Sequence, residues 1–114
     1  MNKEHILKKN LDFQRIIKKN KPYKYKEYIL YVERNDSDDY HFGFSVGKKI
    51  GKAVVRNKIK RQLKHIVSKK DYQKGFNCII IVNNNILNKS FHEMEIDLHL
   101  ILERLNLTKE KRDE

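Results

Sequence analysis

The residues best suited to chemistry in this 114-residue sequence are cations, and they concentrate between positions 48 and 64. Five polar or cationic side chains there fall on one broad helical stripe: Arg56, Asn57, Lys60, Arg61 and Lys64. Residues 44–75 contain eleven Lys or Arg and a single acid, so they carry +10 of the net charge of +11. Because a stripe of like charges repels itself, this pattern indicates a polyanionic partner. Nucleic acid fits best, since arginine forks suit phosphate and base edges, and an anionic membrane surface is the alternative.

The other reactive residues do not form a catalytic centre in the sequence. His92, Glu95 and His99 are three and four apart, so they would either share a helix face as metal ligands or form an ordinary polar surface. Ser45 lacks the glycine-flanked signature of an activated nucleophile, and Cys78 lies inside an apolar run, where we expect a buried thiol. We also find no paired carboxylates in a basic setting that would bind Mg²⁺. The sequence therefore predicts binding rather than catalysis by the protein's own side chains.

Apolar side chains next to the cations have two possible roles. Phe13 and Ile17 are four apart and share a helix face, either in the core or as a platform for unstacked bases. Residues 25–33 alternate as a strand does, which puts Ile29 and Tyr31 on one face. The residues expected in the core lie on the other face: Tyr28, Leu30 and Val32.

Periodicity and turn signals define the elements that carry these residues. A short helix ends near Lys19, and strands at 25–33 and 41–46 are expected to pair as a hairpin around the turn at 35–39. A long helix covers about 52–69, with an apolar stripe of Val55, Ile59, Leu63 and Ile66. The continuous apolar run at 77–82 predicts a central strand covered on both faces.

The last helix begins at a capping box formed by Ser90 and Glu93. Ile96, Leu100 and Leu107 lie off its apolar stripe, which indicates either extra burial or a contact patch. The order α-β-β-(β)-α-β-α predicts the α+β class, as a two-layer α/β sandwich with helices on one side of a small sheet.

Length and composition fit one domain over residues 1–114, with loose tails at 1–6 and 108–114. No apolar run approaches the ~20 residues of a membrane span, and no apolar segment follows the first lysines as in a signal peptide. With a single cysteine there is no structural disulfide. We therefore expect a cytoplasmic protein without a membrane partner.

Two segments resemble a known family. The dodecamer I-G-K-A-V-V-R-N-K-I-K-R, from Ile50 to Arg61, is similar to the signature of the bacterial ribonuclease P protein component, and L-K-K-N-L-D-F at 7–13 resembles the opening helix of that family. The resemblance covers residues 5 to about 105. It implies a sandwich related to the ferredoxin-like class, with an unusual left-handed crossover through the long helix.

The resemblance also implies a function. The chain would be the protein component of an endoribonuclease in which the RNA subunit, with its own Mg²⁺ ions, removes the 5′ leader of precursor tRNA. The protein itself would bind no cofactor, and its partners would be the catalytic RNA and precursor tRNA. Carried over by position, the leader would contact Phe13, Ile17, Ile29, Tyr31, Arg56, Asn57 and Lys60. The catalytic RNA would contact Lys52, Lys58, Arg61 and Lys64.

One position departs from the family pattern, and two other classes of function stay open. The family often has a second aromatic residue where this chain has Ile17, whose side chain packs against a base but does not stack as a ring does. A plain RNA-binding scaffold, such as a ribosomal protein, would show the same basic α+β composition. A metal-dependent nuclease would need His92 or Glu95 as a ligand or base.

Overall fold

The structure, a computed structural model, describes residues 2–109. Within that range the chain forms three α-helices, α1 (Asn10–Lys19), α2 (Ala53–Ser68) and α3 (Phe91–Arg104). The same range contains four strands, β1 (Tyr23–Tyr25), β2 (Tyr28–Arg34), β3 (Tyr40–Val46) and β4 (Phe76–Val82). Short 3₁₀ turns lie at Lys3–His5, Lys48–Ile50 and Asn84–Asn88. None of the helices in residues 2–109 has the length and apolar character needed to cross a membrane.

The strands form one mixed sheet in the order β1-β2-β4-β3. β4 pairs antiparallel with β2 and parallel with β3, so the predicted hairpin between β2 and β3 is wrong. The reason lies in β4, which is almost continuously apolar and buried and therefore needs neighbours on both edges. Direct pairing of β2 with β3 would have left an edge of β4 open. The prediction that this run is a central strand is confirmed.

The helices cover the two faces of the sheet unequally. Side chains of α2 and α3 pack against the face that carries Tyr28, Phe42 and Ile80, and together they form the main hydrophobic core. α1 lies on the opposite face, where Arg15 contacts Glu33. The predicted α+β sandwich is confirmed for α2 and α3, but α1 does not share their side. Its single fully buried residue, Ile16, lies outside the main core.

The apolar stripe predicted for α2 is buried, with one exception. Ile59, Leu63 and Ile66 are buried as expected, whereas Val55 remains 37% exposed because it lies in the first turn of α2, beyond the core. The capping box of α3 is present, with Ser90 Oγ accepting from the Glu93 amide.

The three apolar residues off the main stripe of the last helix have different surroundings. Leu107 is fully buried, Leu100 is half-buried and Ile96 is 52% exposed.

The described ends of the chain are attached rather than loose, which corrects the predicted tails. Ile6 forms a parallel bridge with Phe42, and Thr108 forms an antiparallel bridge with Tyr72. Both bridges satisfy backbone groups that would otherwise need water. The remaining predicted tail residues, Met1 and 110–114, lie outside the described range.

A buried carboxyl group lies in the turn between β1 and β2. Glu27 is fully buried, and neither of its carboxylate oxygens has a hydrogen-bond partner among the described residues. The nearest cation is Lys89, with Nζ 4.0 Å from Oε2, while Asp97 pairs with Lys26 at 3.3 Å. Burial, together with the neighbouring Asp97, raises the pKa of Glu27 from 4.5 to about 7.

Candidate nucleic-acid interface

A groove of about 640 Å³ lies between the N-terminal segment, α1, the end of β3 and one flank of α2. Four lysines contribute to its lining: Lys3, Lys8, Lys60 and Lys64. The other lining residues are mostly apolar: Ile6, Leu7, Asn10, Phe13, Phe44, Ser45 and Val46. We call this site the lysine groove. It combines ammonium groups with an apolar floor, as sites for single-stranded nucleic acid do.

The lysine groove contains uncompensated positive charge. None of its four lysines forms an ion pair with a carboxylate of residues 2–109, although five other lysines of that range do. Their mutual repulsion raises the free energy of the empty groove and favours a ligand with several negative charges.

The ring of Phe13 lies directly on the sheet because the residue beneath it on β3, Gly43, has no side chain. A Cβ built on Gly43 would be 2.5 Å from Cζ of Phe13, far inside van der Waals contact. Phe13 and Ile17 are both half-buried, while Ile16 between them is fully buried. The two residues whose role the sequence left open therefore border the core and keep part of their surface accessible.

Arg15 fixes α1 over the sheet and thereby orients Phe13 and Ile17. Its Nε and Nη2 donate to the two carboxylate oxygens of Glu33 at 3.1 and 3.0 Å, which lowers the pKa of Glu33. Asp12 accepts a further bond from Arg15 at 2.8 Å. Arg15 lies about 160° around the helix from Phe13, so Phe13 and Ile17 occupy the flank away from Glu33.

Ile29 and Tyr31 lie on the same face of the sheet as α1, at half-buried positions. Ile29 is in register with Ile81 and then with Ser45, which lines the lysine groove. The groove itself does not include Ile29 or Tyr31, which are two strands away, about 10 Å across the sheet. They extend the accessible face beyond the groove rather than lining it.

The cations of α2 lie on two different flanks. Lys60 and Lys64 line the lysine groove, and the half-buried Arg56 lies one turn before Lys60 on the same flank. Arg56 Nε donates to the Gly51 carbonyl oxygen at 3.2 Å, which ties the side chain to the preceding turn. Lys58 lies about 160° around the helix from Lys60 and faces away from the groove.

The remaining predicted contacts on and next to α2 are exposed: Lys52, Asn57 and Arg61. The structure thus places Lys64 with the groove residue Lys60, whereas the sequence grouped it with Lys58 and Arg61.

Comparison with known proteins places the chain in a family. The Ribonuclease P family model matches residues 1–106. The ribonuclease P protein component of Mycoplasma mobile is 38% identical over 112 residues, which cover 97% of this chain and 98% of that protein. The corresponding protein of Mesoplasma florum is 35% identical, over 91% of this chain and 97% of that protein.

Solved structures agree. The Staphylococcus aureus RNase P protein superposes with a TM-score of 0.82 at 30% identity, over 92% of this chain and 98% of that one. The Thermotoga maritima protein gives a TM-score of 0.77 at 27% identity, over 86% and 94%. The chain belongs to the ribonuclease P protein family. This family supplies the protein component of a tRNA-processing ribonucleoprotein endoribonuclease.

The ribonuclease P signature spans the start of α2. Ile50 is buried in the turn before the helix, and the cationic members of the signature project from the helix that follows. The signature therefore contributes one groove wall through Lys60 and an exposed surface through Lys58 and Arg61.

Sequence reasoning missed the contribution of the N-terminal segment to the lysine groove. Lys3 lies in the tail predicted to be loose, Lys8 lies just after it, and Phe44 lies in a predicted strand for which no binding role was expected. Single β-bridges and 3₁₀ turns leave no periodic pattern, so no signal in the sequence indicated where these residues would lie.

The possible metal ligands of α3 are engaged elsewhere. Glu95 forms an ion pair with Lys69, and Nε2 of His99 lies 2.8 Å from the Ile66 carbonyl oxygen. Residues 2–109 contain no group of three or more His, Cys, Asp or Glu side chains arranged to hold a metal ion. Cys78 is buried, and burial raises the pKa of its thiol.

Proposed function

We propose that this chain is the subunit that binds both the catalytic RNA of ribonuclease P and the 5′ leader of precursor tRNA. The observation that carries the proposal is the lysine groove, in which four lysines without an ion pair among residues 2–109 share the lining with the half-buried ring of Phe13. A single strand fits such a site because its phosphates meet ammonium groups while an unstacked base meets a ring.

The leader would use the groove flank of α2 and the neighbouring face of the sheet. Lys60 and Lys64 bind phosphates there, with Arg56 and Asn57 nearer the start of the helix. Phe13 and Ile17 offer an apolar surface to bases, and Ile29 and Tyr31 extend it across the sheet. The half-exposed state of these four side chains supports this role.

The catalytic RNA would contact the exposed cations outside the groove. Lys52, Lys58 and Arg61 are exposed and do not line the groove, which supports this separate role. Cleavage is then carried out by the RNA with its own Mg²⁺ ions, and the protein screens phosphate repulsion in the assembled enzyme. We propose a single RNA-binding domain that acts in the cytoplasm.

Reconstitution with the catalytic RNA tests this function. The holoenzyme should bind precursor tRNA more tightly than mature tRNA, and shortening the leader to a single nucleotide should abolish the difference. The protein should also lower the Mg²⁺ concentration that cleavage requires. Equal affinity for the two tRNAs, or cleavage by RNA-free protein that a point substitution in the protein abolishes, would contradict the proposal.

A further inference from the structure

The N-terminal segment, residues 3–8, runs along the open edge of β3. The Leu7 amide donates to the Phe42 carbonyl oxygen at 2.8 Å, next to the bridge between Ile6 and Phe42. Asn2 caps the 3₁₀ turn at Lys3–His5 by accepting from the Glu4 amide at 3.3 Å. The segment is therefore an ordered extension of the sheet, and its side chains have defined positions beside the groove.

His5 fastens this segment to the start of β3. Its ring stacks on Tyr40, with centroids 4.0 Å apart and planes inclined by 3°. Nδ1 lies 2.9 Å from the Tyr40 carbonyl oxygen and 3.0 Å from Oδ1 of Asp39. Both partners are acceptors, so Nδ1 carries the hydrogen in this arrangement. One side chain thus joins the segment to β3 through a stack and a shared hydrogen bond.

Lys3 and Lys8 stand on either side of this attachment and border the lysine groove. They share the groove with Lys60 and Lys64, which come from a helix more than fifty positions away in the chain. Glu4, the acid of the segment, does not line the groove. The charged side chains that the segment contributes to the lysine groove are therefore all positive.

We propose that residues 3–8 form a second RNA-binding wall, in which Lys3 and Lys8 bind phosphates of the strand held by Lys60 and Lys64, and that His5 is its positioning residue. The proposal rests on the proposed function of the groove. A strand bound between two basic walls releases its condensed counterions into solution, so the salt dependence of binding reports the number of lysines that contact phosphates. His5 contributes by holding the two lysines in place.

The test is the binding of a fluorescently labelled single-stranded oligoribonucleotide to the isolated protein, measured by anisotropy over a range of salt concentrations. The double variant Lys3→Ala/Lys8→Ala should reduce the slope of log K against log salt by about 1.4, since each phosphate contact to a single strand contributes about 0.7. At about 0.15 M salt this corresponds to a loss of about 14-fold in affinity.

The matched control is Lys74→Ala/Lys109→Ala, which removes the same charge from exposed positions outside the groove. It should leave the slope near the wild-type value. A double variant Lys3→Ala/Lys8→Ala that behaves as this control would overturn the second wall, while a loss of binding in Lys60→Ala would still support the proposed groove. If Lys60→Ala also binds as the wild type does, the groove function fails, and the second wall fails with it.

The positioning role of His5 is tested by the salt slope, a measurement that a general loss of stability does not change. His5→Ala should lower the salt slope toward that of Lys3→Ala/Lys8→Ala, although it removes no lysine. Added to that double variant, it should cause no further loss, because the lysines it positions are already absent. His5→Asn, whose amide nitrogen donates much as Nδ1 does, should restore most of the slope. An unchanged slope in His5→Ala, with the fold intact by circular dichroism, would overturn its positioning role.

Discussion

Gly43→Ala is expected to disturb both the stability of the fold and the leader site through a single contact. Gly43 lies on β3 under the ring of Phe13. Because glycine has no side chain, the ring lies directly against the strand backbone. Adding one methyl group there forces the ring outward without touching any charged group of the lysine groove. The substitution therefore separates the apolar part of the proposed RNA site from its electrostatic part.

The expected loss of stability follows from the distances between the new Cβ and the Phe13 ring. The new Cβ would lie 2.5 Å from Cζ, 3.0 Å from Cε2 and 3.1 Å from Cε1 of Phe13. Carbon atoms in contact prefer about 3.5–4.0 Å, so the ring has to withdraw by about 1 Å. Overpacking of this kind costs about 1–3 kcal/mol in the free energy of unfolding, or about 4–12 °C in Tm for a domain of this size.

The expected loss of RNA affinity follows from the loss of the Phe13 ring as a stacking surface. Stacking of one base on an aromatic side chain contributes about 1–3 kcal/mol, so affinity for a single-stranded leader should fall by about 5- to 150-fold at most. The salt slope should not change, because no cation moves out of the groove. Thermal melts and anisotropy titrations on the same samples measure the two effects.

Gly47→Ala is the matched control, since a Cβ there meets nothing within 4 Å and its φ of −68° suits alanine. In a Phe13→Ala background, Gly43→Ala should cost far less stability, because the clashing ring is gone. An equal cost of Gly43→Ala in both backgrounds, or melting and binding indistinguishable from Gly47→Ala, would refute the proposed contact.

Three further substitutions test other parts of the molecule. Tyr31→Ala should weaken binding of precursor tRNA by the reconstituted enzyme by about 1–3 kcal/mol and leave mature tRNA unaffected; equal losses would exclude a leader-specific role. Arg61→Ala should weaken assembly with the catalytic RNA, measured by titration, with almost no change in Tm, because exposed charges stabilise little. Because the pKa of Glu27 is raised to about 7 in the folded state, stability should fall as pH rises from about 4.5 to 7. In denaturant titrations, Glu27→Gln should remove this fall of about 2–3 kcal/mol, a range that allows for screening by nearby lysines, and a fall of equal size in the variant would contradict it.

Elements with a strong local signal could be predicted from the sequence. The capping box at Ser90 and Glu93 starts α3 where it was expected, because both partners lie within one turn. The run in β4 indicated a central strand, since only a strand covered on both faces has almost no polar side chain. The basic stripe of α2 followed from spacing alone.

Features that depend on distant partners could not be predicted. The hairpin of β2 with β3 was wrong because pairing is decided by β4, which comes thirty residues later in the chain. The predicted strand at 25–33 contains a turn at Lys26, whose φ of 50° is unusual for a residue other than glycine. Because lysine rarely adopts this left-handed conformation, the sequence contains no signal that predicts a turn at this position.

The topology of the sheet explains how one helix serves two RNA partners in the proposed enzyme. α2 connects the parallel strands β3 and β4, so its core stripe is fixed against the sheet, while Lys60 lines the groove on one flank and Lys58 is exposed on the other. Lys60 and Lys58 then point about 160° apart on a helix about 24 Å long. A leader bound at Lys60 and a catalytic RNA bound at Lys58 approach from different sides, and the helix between them screens the repulsion of their phosphates. In the proposed enzyme, the leader strand and the catalytic RNA would thereby be held at a separation set by one rigid helix, which is the property that positioning of a scissile bond requires.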